Sequence, residues 1–219
     1  MNKAFKLLIL VALFLQSEFL PAQDFGIKGG MNLATMLSKD NDNRYSDNFS
    51  ANSGIHFGFT FEFPLNDVVA LSPEILLTNK GLKYDFSEDD SNISSDIKLY
   101  YIDVPVMLKT RYNWGNDKKI FGATGPYLGM GVSGQSQTTT EYQGERVCEK
   151  KDVKWGSNKS DDFKKLDWGW SFAGGIQIEE VELSLSYDLG FANIAANQEN
   201  GTIARNRVVK ISIAYQFGK

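Results

Sequence analysis

Eight stretches of the chain alternate apolar and polar residues. That is the side-chain period of a β-strand with two unlike faces. The second stretch is the cleanest, with Ile55, Phe57, Phe59, Phe61 and Phe63 alternating with His56, Gly58, Thr60 and Glu62. The first, Phe25 to Leu33, sets Phe25, Ile27, Met31 and Leu33 against Lys28 and Asn32. The third sets Val69, Leu71, Ile75 and Leu77 against Ser72, Glu74 and Thr78. The fourth sets Tyr100, Ile102, Val104, Val106 and Leu108 against Tyr101, Asp103, Met107, Lys109 and Arg111. The fifth has Ile120, Leu128, Met130 and Val132 on one face and Gly125, Tyr127, Gly129 and Gly131 on the other. The last three run through Trp168–Ile178, Val181–Leu189 and Val209–Phe217 in the same manner, with Asp167, Glu182, Asp188 and Lys210 on their polar faces.

The connections between these strands alternate in length. Residues 35–52, 81–97, 134–165 and 191–206 are long and polar, whereas short turns fall near Pro64–Asp67, Gly115–Lys118 and Glu179–Glu180. Short turns on one side and long loops on the other are the plan of an outer-membrane barrel, and an even strand number puts both termini on the periplasmic side. The predicted fold is all-β, an eight-stranded antiparallel up-and-down transmembrane β-barrel. A soluble lipocalin-like barrel has the same strand count with the apolar face inside. Bulky aromatics on nearly every apolar face are too many for a narrow interior, and glycines with charges of both signs suit a packed polar lumen. The apolar face is therefore predicted to point outward. Phe25, Phe63, Trp114, Tyr215 and Phe217 then fall at the periplasmic rim, and Tyr100, Trp168, Trp170 and Phe191 at the outer rim, as two aromatic girdles.

The start of the chain reads as an export signal: Lys3 and Lys6, an apolar run from Leu7 to Leu15, then Pro21-Ala22. Cleavage after Ala22 gives a signal peptide over 1–22 and a barrel domain over 23–219. An uncleaved anchor helix is disfavoured, because the run is shorter than the ~20 residues a span needs. Loss of Lys3, Lys6 and Glu18 takes the net charge from −4 to −5. A mildly acidic chain without a basic block argues against nucleic acid as a partner. One cysteine, Cys148, and one histidine, His56, leave no basis for a disulfide or a zinc site.

Pro73, Pro105 and Pro126 fall inside predicted strands, and bulges are expected there to absorb them. Their surroundings also carry a resemblance. Ser72-Pro73-Glu74-Ile75-Leu76-Leu77 with Lys80-Gly81, Tyr101-Ile102-Asp103-Val104-Pro105-Val106-Met107-Leu108-Lys109, and Gly125-Pro126-Tyr127-Leu128-Gly129 resemble the eight-stranded outer-membrane barrels abundant in Bacteroidetes. That family, often labelled "porin family", includes a secretion-associated branch. The resemblance spans essentially all of the mature chain. It implies the barrel fold and an outer-membrane location, and it supplies no shared catalytic residues.

The predicted lumen holds Lys28, Lys109, Arg111 and Lys210 with Glu62, Glu74, Asp103, Asp167, Glu182 and Asp188. Charges in so narrow an interior must pair. A network centred on Glu74, Asp103 and Lys109, with Arg111 and Asp167 as members, is expected. Eight strands leave an interior about filled by side chains, which favours a plug over a gated ion path. Other motifs lead nowhere. Gly129 to Gly134 matches G-x-G-x-x-G but opens no helix, so no dinucleotide or other cofactor is expected. Asp40 and Asp42 lack the glycine and spacing of a calcium loop. His56 has no nucleophile or orienting partner beside it in the sequence, so no catalytic residue is assigned.

The expected function is therefore that of a non-enzymatic outer-membrane barrel whose loops serve binding, adhesion or envelope structure, or secretion as an accessory. The alternatives are a small porin-like channel, and a soluble lipocalin-like binder of an apolar ligand. Tyr142, Trp155 and Phe163 in the longest loop are the candidate anchors for a partner, since exposed aromatics dominate interfaces. Expected partners are outer-membrane lipid and an extracellular or envelope protein or glycan. The polarity of the long loops predicts mobility.

Overall fold

The computed structural model describes residues 24–88, 91–115, 118–142 and 145–217, so the expected signal peptide (1–22) lies outside the described residues. Ten strands form: β1 (Asp24–Lys39), β2 (Phe49–Ser50), β3 (Asn52–Pro64), β4 (Val69–Glu88), β5 (Ser91–Asn113), β6 (Lys118–Tyr142), β7 (Glu145–Asp152), β8 (Leu166–Ile178), β9 (Val181–Gly190) and β10 (Ile203–Phe217). Eight of them, β1, β3, β4, β5, β6, β8, β9 and β10, pair antiparallel with their neighbours, and β10 closes on β1. Closure removes every free edge from the ring. β2 and β7 stand outside it, paired to the far ends of β4 and β6.

The alternation seen along the chain separates wall from lumen. Met31, Ile55, Phe57, Leu185 and Ile211 are each more than half exposed, while Asn32, His56, Glu62 and Asp103 are buried. A soluble barrel would hide the first set; here it forms a continuous outward band, which water would not tolerate and lipid requires. The lipocalin-like alternative is thereby overturned. Aromatic rings gather at both ends of the band. Phe25 lies 5.7 Å from both Phe59 and Phe217 at the end with the short turns, and Trp168 meets Phe191 edge-on at 5.7 Å at the other.

Two features depart from the strand expectations. The prolines are not absorbed by bulges. Phe59–Ile75 and Phe63–Leu71 share one register around Pro73, and the same holds across Pro105 and Pro126. What changes is the ladder: two successive pairs are missing at each proline, Phe61–Pro73 with Glu62–Ser72, Glu74–Pro105 with Ile75–Val104, and Val106–Pro126 with Met107–Gly125, from otherwise regular pairings. A proline cancels one donor without shifting its strand, because the hydrogen bonds on either side and the closed ring hold the register. The register shift that does occur against β6 lies at Tyr100/Tyr101, which pair with Ser133 and Gly131. Val132 is the extra residue. One added residue reverses the faces beyond it, so Gly131 and Gly134 both turn inward, against Trp155 and Val153.

The long connections are also not loops for much of their length. β4, β5 and β6 contain 20, 23 and 25 residues, about twice the ~9–11 a tilted strand needs to cross a bilayer. Residues 81–88, 91–97 and 134–142 continue the ladder beyond the apolar band, and β7 adds to it. Strands thus stand where loops were expected. In 91–97 and 134–142 most residues are polar, which weakens the period-two contrast. In 81–88 the contrast changes sides, with Leu82, Tyr84 and Phe86 alternating with Lys83, Asp85 and Ser87. Thr138, Thr139 and Thr140 favour strand, and the strands below already align all three segments.

Candidate functional site: a sealed lumen under an apolar cap

The lumen is built from the polar face of each ring strand. Six acids (Glu62, Glu74, Asp103, Asp167, Glu182 and Asp188) face five bases (Lys28, Lys80, Lys109, Arg111 and Lys210) among the described residues. Each is paired, but not around one centre. Glu74 takes Lys28 (2.8 Å). Asp103 and Asp167 share Lys80 at 3.0 and 2.9 Å. Lys109 bridges Glu62 (3.3 Å) and Glu182, and Arg111 also reaches Glu62. Lys210 holds Asp188 at 2.6 Å, and Ser171 donates to the same carboxylate. Glu74, Asp103 and Lys109, the expected centre, thus belong to three separate clusters. The tilt and stagger of the strands place each inward residue next to a different neighbour than sequence order suggests.

Lys80 is the residue that sequence reasoning missed. It is fully buried, and its ammonium also sits over the rings of Tyr101 and Tyr127 at 4.6 and 4.7 Å. Asn206 and Tyr127 donate to the Asp167 oxygen that Lys80 contacts. The signal was present: Lys80 lies two residues beyond the inward Thr78 on the same strand face.

His56 likewise has partners that no local motif reveals. Gly30 pairs with His56 on one side and Ser212 on the other. A side chain at Gly30 would lie 2.8 Å from the His56 ring, so the glycine makes room for it. Asn32 Nδ2 donates to the carbonyls of Ile55 and Asn79, which turns Asn32 Oδ1 to His56 Nδ1 at 2.6 Å. Neutral His56 therefore donates from Nδ1 and accepts the Ser212 hydroxyl at Nε2, 2.9 Å away. The order serine, imidazole, amide is that of a nucleophile relay. Here His56 and Ser212 are 1% and 3% exposed, so the row is closed to solvent and acts as a polar strut.

Above the charges the interior changes character. Met36, Leu82, Leu99, Tyr101, Val153, Ile194, Ala195 and Ala204 form an apolar cluster. Segments 153–165 and 191–196 fold across the mouth to complete it. Gly131 N–H donates to Lys165 O (2.7 Å), Lys164 N–H to Ile194 O (2.8 Å) and Ile194 N–H to Ala204 O (2.9 Å). Trp155 meets Tyr101 edge-on at 5.6 Å, and Trp155 and Phe163 pack against the cluster. These two were expected as exposed anchors; instead they are half-buried and serve the cap. Tyr142 pairs through its backbone with Ser91 and Glu145 at the tip of the extension, and its side chain lies outside the described residues. Within the lumen a void of about 10 Å³ lies among Lys28, Glu74, Met107 and Lys210, about the space of one water.

A sequence model described as "Outer membrane protein beta-barrel domain" matches residues 21–196, most of the chain. The chain belongs to that family. The barrel is accordingly a bacterial outer-membrane protein, with its short turns periplasmic and its long hairpins and cap extracellular. No curated protein matches it. Among solved structures it is similar to Neisserial surface protein A (11% identity, TM-score 0.45, covering 90% of this chain and 100% of that one). It is similar also to OprG of Pseudomonas aeruginosa (14%, 0.44, 91% and 98%) and to Ail, the attachment invasion locus protein of Yersinia pestis (13%, 0.41, 90% and 100%).

Proposed function

We propose that this outer-membrane barrel is a non-enzymatic, non-conducting scaffold whose extracellular superstructure serves binding, adhesion or envelope structure, including an accessory role in secretion. The observation that carries the reading is the sealed lumen. Among the described residues its buried acids and bases are all paired, the void beside Lys28, Glu74 and Lys210 is about the size of one water, and an apolar cap lies over the mouth. An ion entering this path would have to displace buried pairs, each costly to break. By contrast, the paired extension of β4, β5, β6 and β7 offers a broad polar surface to the outside. Its ligand class is a protein or glycan.

Planar-bilayer recording of the purified, folded chain tests this. Silence is expected for the wild type and for Asp103→Asn and Lys109→Met. Unitary steps that change with either variant would replace the scaffold by a small channel. Replacing residues 136–151 by a short turn should leave the cold-versus-boiled gel shift of the barrel intact while abolishing surface binding.

A further inference from the structure

One cleft at the outer rim has a composition unlike the rest of this acidic chain. It measures about 510 Å³ and is lined by Ser157, Lys164, Lys165, Leu166, Trp168 and Asn193, two cations with no acid among them. Among the described residues neither ammonium has a carboxylate within salt-bridge distance. The acids of the same surface are engaged elsewhere. Asp161 accepts from Asn158 N–H, Asp162 from Lys154 N–H, and Glu199 pairs with Lys159. Asn193 is also spent, since its Oδ1 accepts from Ala195 and Ala204 and its Nδ2 donates to Thr202. Lys164, Lys165 and the Ser157 hydroxyl are thus the polar side chains left to meet a ligand, and two cations without an acid between them favour an anion.

The other half of the cleft is apolar and faces lipid. Leu166 and Trp168 are about half exposed on the outward face of β8, and Trp168 is braced by Phe191 in the outer aromatic girdle. Aromatic girdles mark the headgroup level. The two lysines follow directly before β8, so they stand just above that level and are held there by the backbone bonds of Lys164 to Ile194 and of Gly131 to Lys165. Paired cations above an apolar ledge at the membrane surface match an amphiphile with an anionic head.

We propose that this cleft binds the phosphate of an outer-leaflet lipid, with Lys164 and Lys165 on the phosphate and Leu166 and Trp168 against the lipid body. A soluble anion would satisfy the lysines but leave the ledge without purpose.

The test uses the full-length mature barrel in phosphatidylcholine nanodiscs doped with phosphorylated lipid A or its dephosphorylated form, with bound lipid counted by native mass spectrometry. The wild type should retain the phosphorylated lipid at least tenfold better than the dephosphorylated one, given the strength of two surface lysines acting on a headgroup. Lys164→Ala/Lys165→Ala should lose that preference, and Lys164→Arg/Lys165→Arg should keep it. A cold-versus-boiled gel shift establishes that each variant is folded. Equal retention by the alanine pair overturns the proposal, as does equal retention of both lipid forms. Displacement of bound lipid A by millimolar inorganic phosphate alone would show a free-anion site instead. Lysine-dependent binding of heparin without lipid A binding would show a glycan site instead.

Discussion

The same strands are built on opposite rules below and above the Lys80–Tyr101 level. Below it, Ile102, Val104 and Leu128 point out and Asp103, Lys109 and Glu74 point in. Above it, Met36, Leu82, Leu99 and Ala204 point in, and the outside is polar. The lower region is a membrane protein and the upper region folds like a soluble one, within single unbroken strands such as β4 and β5. The solvent around each segment sets the polarity of its faces: lipid draws apolar residues out, and water drives them into the cap. The two regions therefore rest on different energies, buried ion pairs in one and apolar packing in the other. Changes that remove a single term should separate them.

The largest effect is expected at Lys80. Lys80→Met leaves Asp103 and Asp167 facing each other with no cation between them. Breaking a buried pair in this way costs about 3–5 kcal/mol. The urea midpoint of the folded gel band should fall accordingly. Adding Asp103→Asn and Asp167→Asn should recover most of the loss, because neutral amides need no counter-charge. Lys151→Met makes the contrast. Its partner Glu149 and Lys151 itself are both well exposed in the upper region, and the change should cost less than ~0.5 kcal/mol. Equal losses at Lys80 and Lys151 would refute the division into two regions.

A smaller effect, confined to the upper region, is expected from Trp155→Ala. It removes the ring that closes on Tyr101 and fills the space beside Gly131. Because Trp155 is half-buried, the loss should be about 2 kcal/mol, below the ~3–5 of a fully buried aromatic. Protease should then cut within 153–165 while the band's resistance to cold SDS persists. Loss of that resistance would mean that the cap and the barrel form one cooperative unit.

What the sequence made legible follows from the same contrast. All eight ring strands and their outward faces, from Phe25 to Phe217, can be read because lipid on one side and a charged lumen on the other give the sharpest possible period-two signal. Above the outward apolar band the apolar residues change to the inner face and thin out, as in Leu82, Tyr84 and Leu99, so the upper parts of β4, β5 and β6 read as loops. Lys80 lies at that boundary, where only its place two residues beyond Thr78 marks it as a lumen residue. Trp155 and Phe163 read as surface anchors because isolated aromatics in a polar stretch carry no period that would show them turned inward. The partners of His56 and the separation of Glu74, Asp103 and Lys109 depend on register between strands far apart in sequence. Alternation fixes a residue's face and leaves its height in the barrel open.

The smallest effect is one of pH, and it belongs to the upper region alone. In the turn after β1, Asp40 accepts the Tyr45 hydroxyl at 2.6 Å and the backbone N–H groups of Asn43 and Asp42 at 2.7 and 2.8 Å. These donors, led by Tyr45, hold the Asp40 carboxyl below its ordinary range and raise the Tyr45 phenol. A carboxylate whose folded pKa is depressed adds stability above its unfolded value of ~3.9, and that stability is lost as pH falls through the folded value. The turn should therefore hold at neutral pH and loosen only under strong acid. The Asp40 carboxyl carbon shift, followed by NMR in micelles, should titrate below ~3.9 in the wild type. Tyr45→Phe should move its midpoint upward, since the largest contribution is removed and the two backbone donors remain. A midpoint indifferent to Tyr45→Phe would show that the backbone of the turn alone sets the carboxyl, and that the hydroxyl contact does not stabilise this part of the extracellular surface.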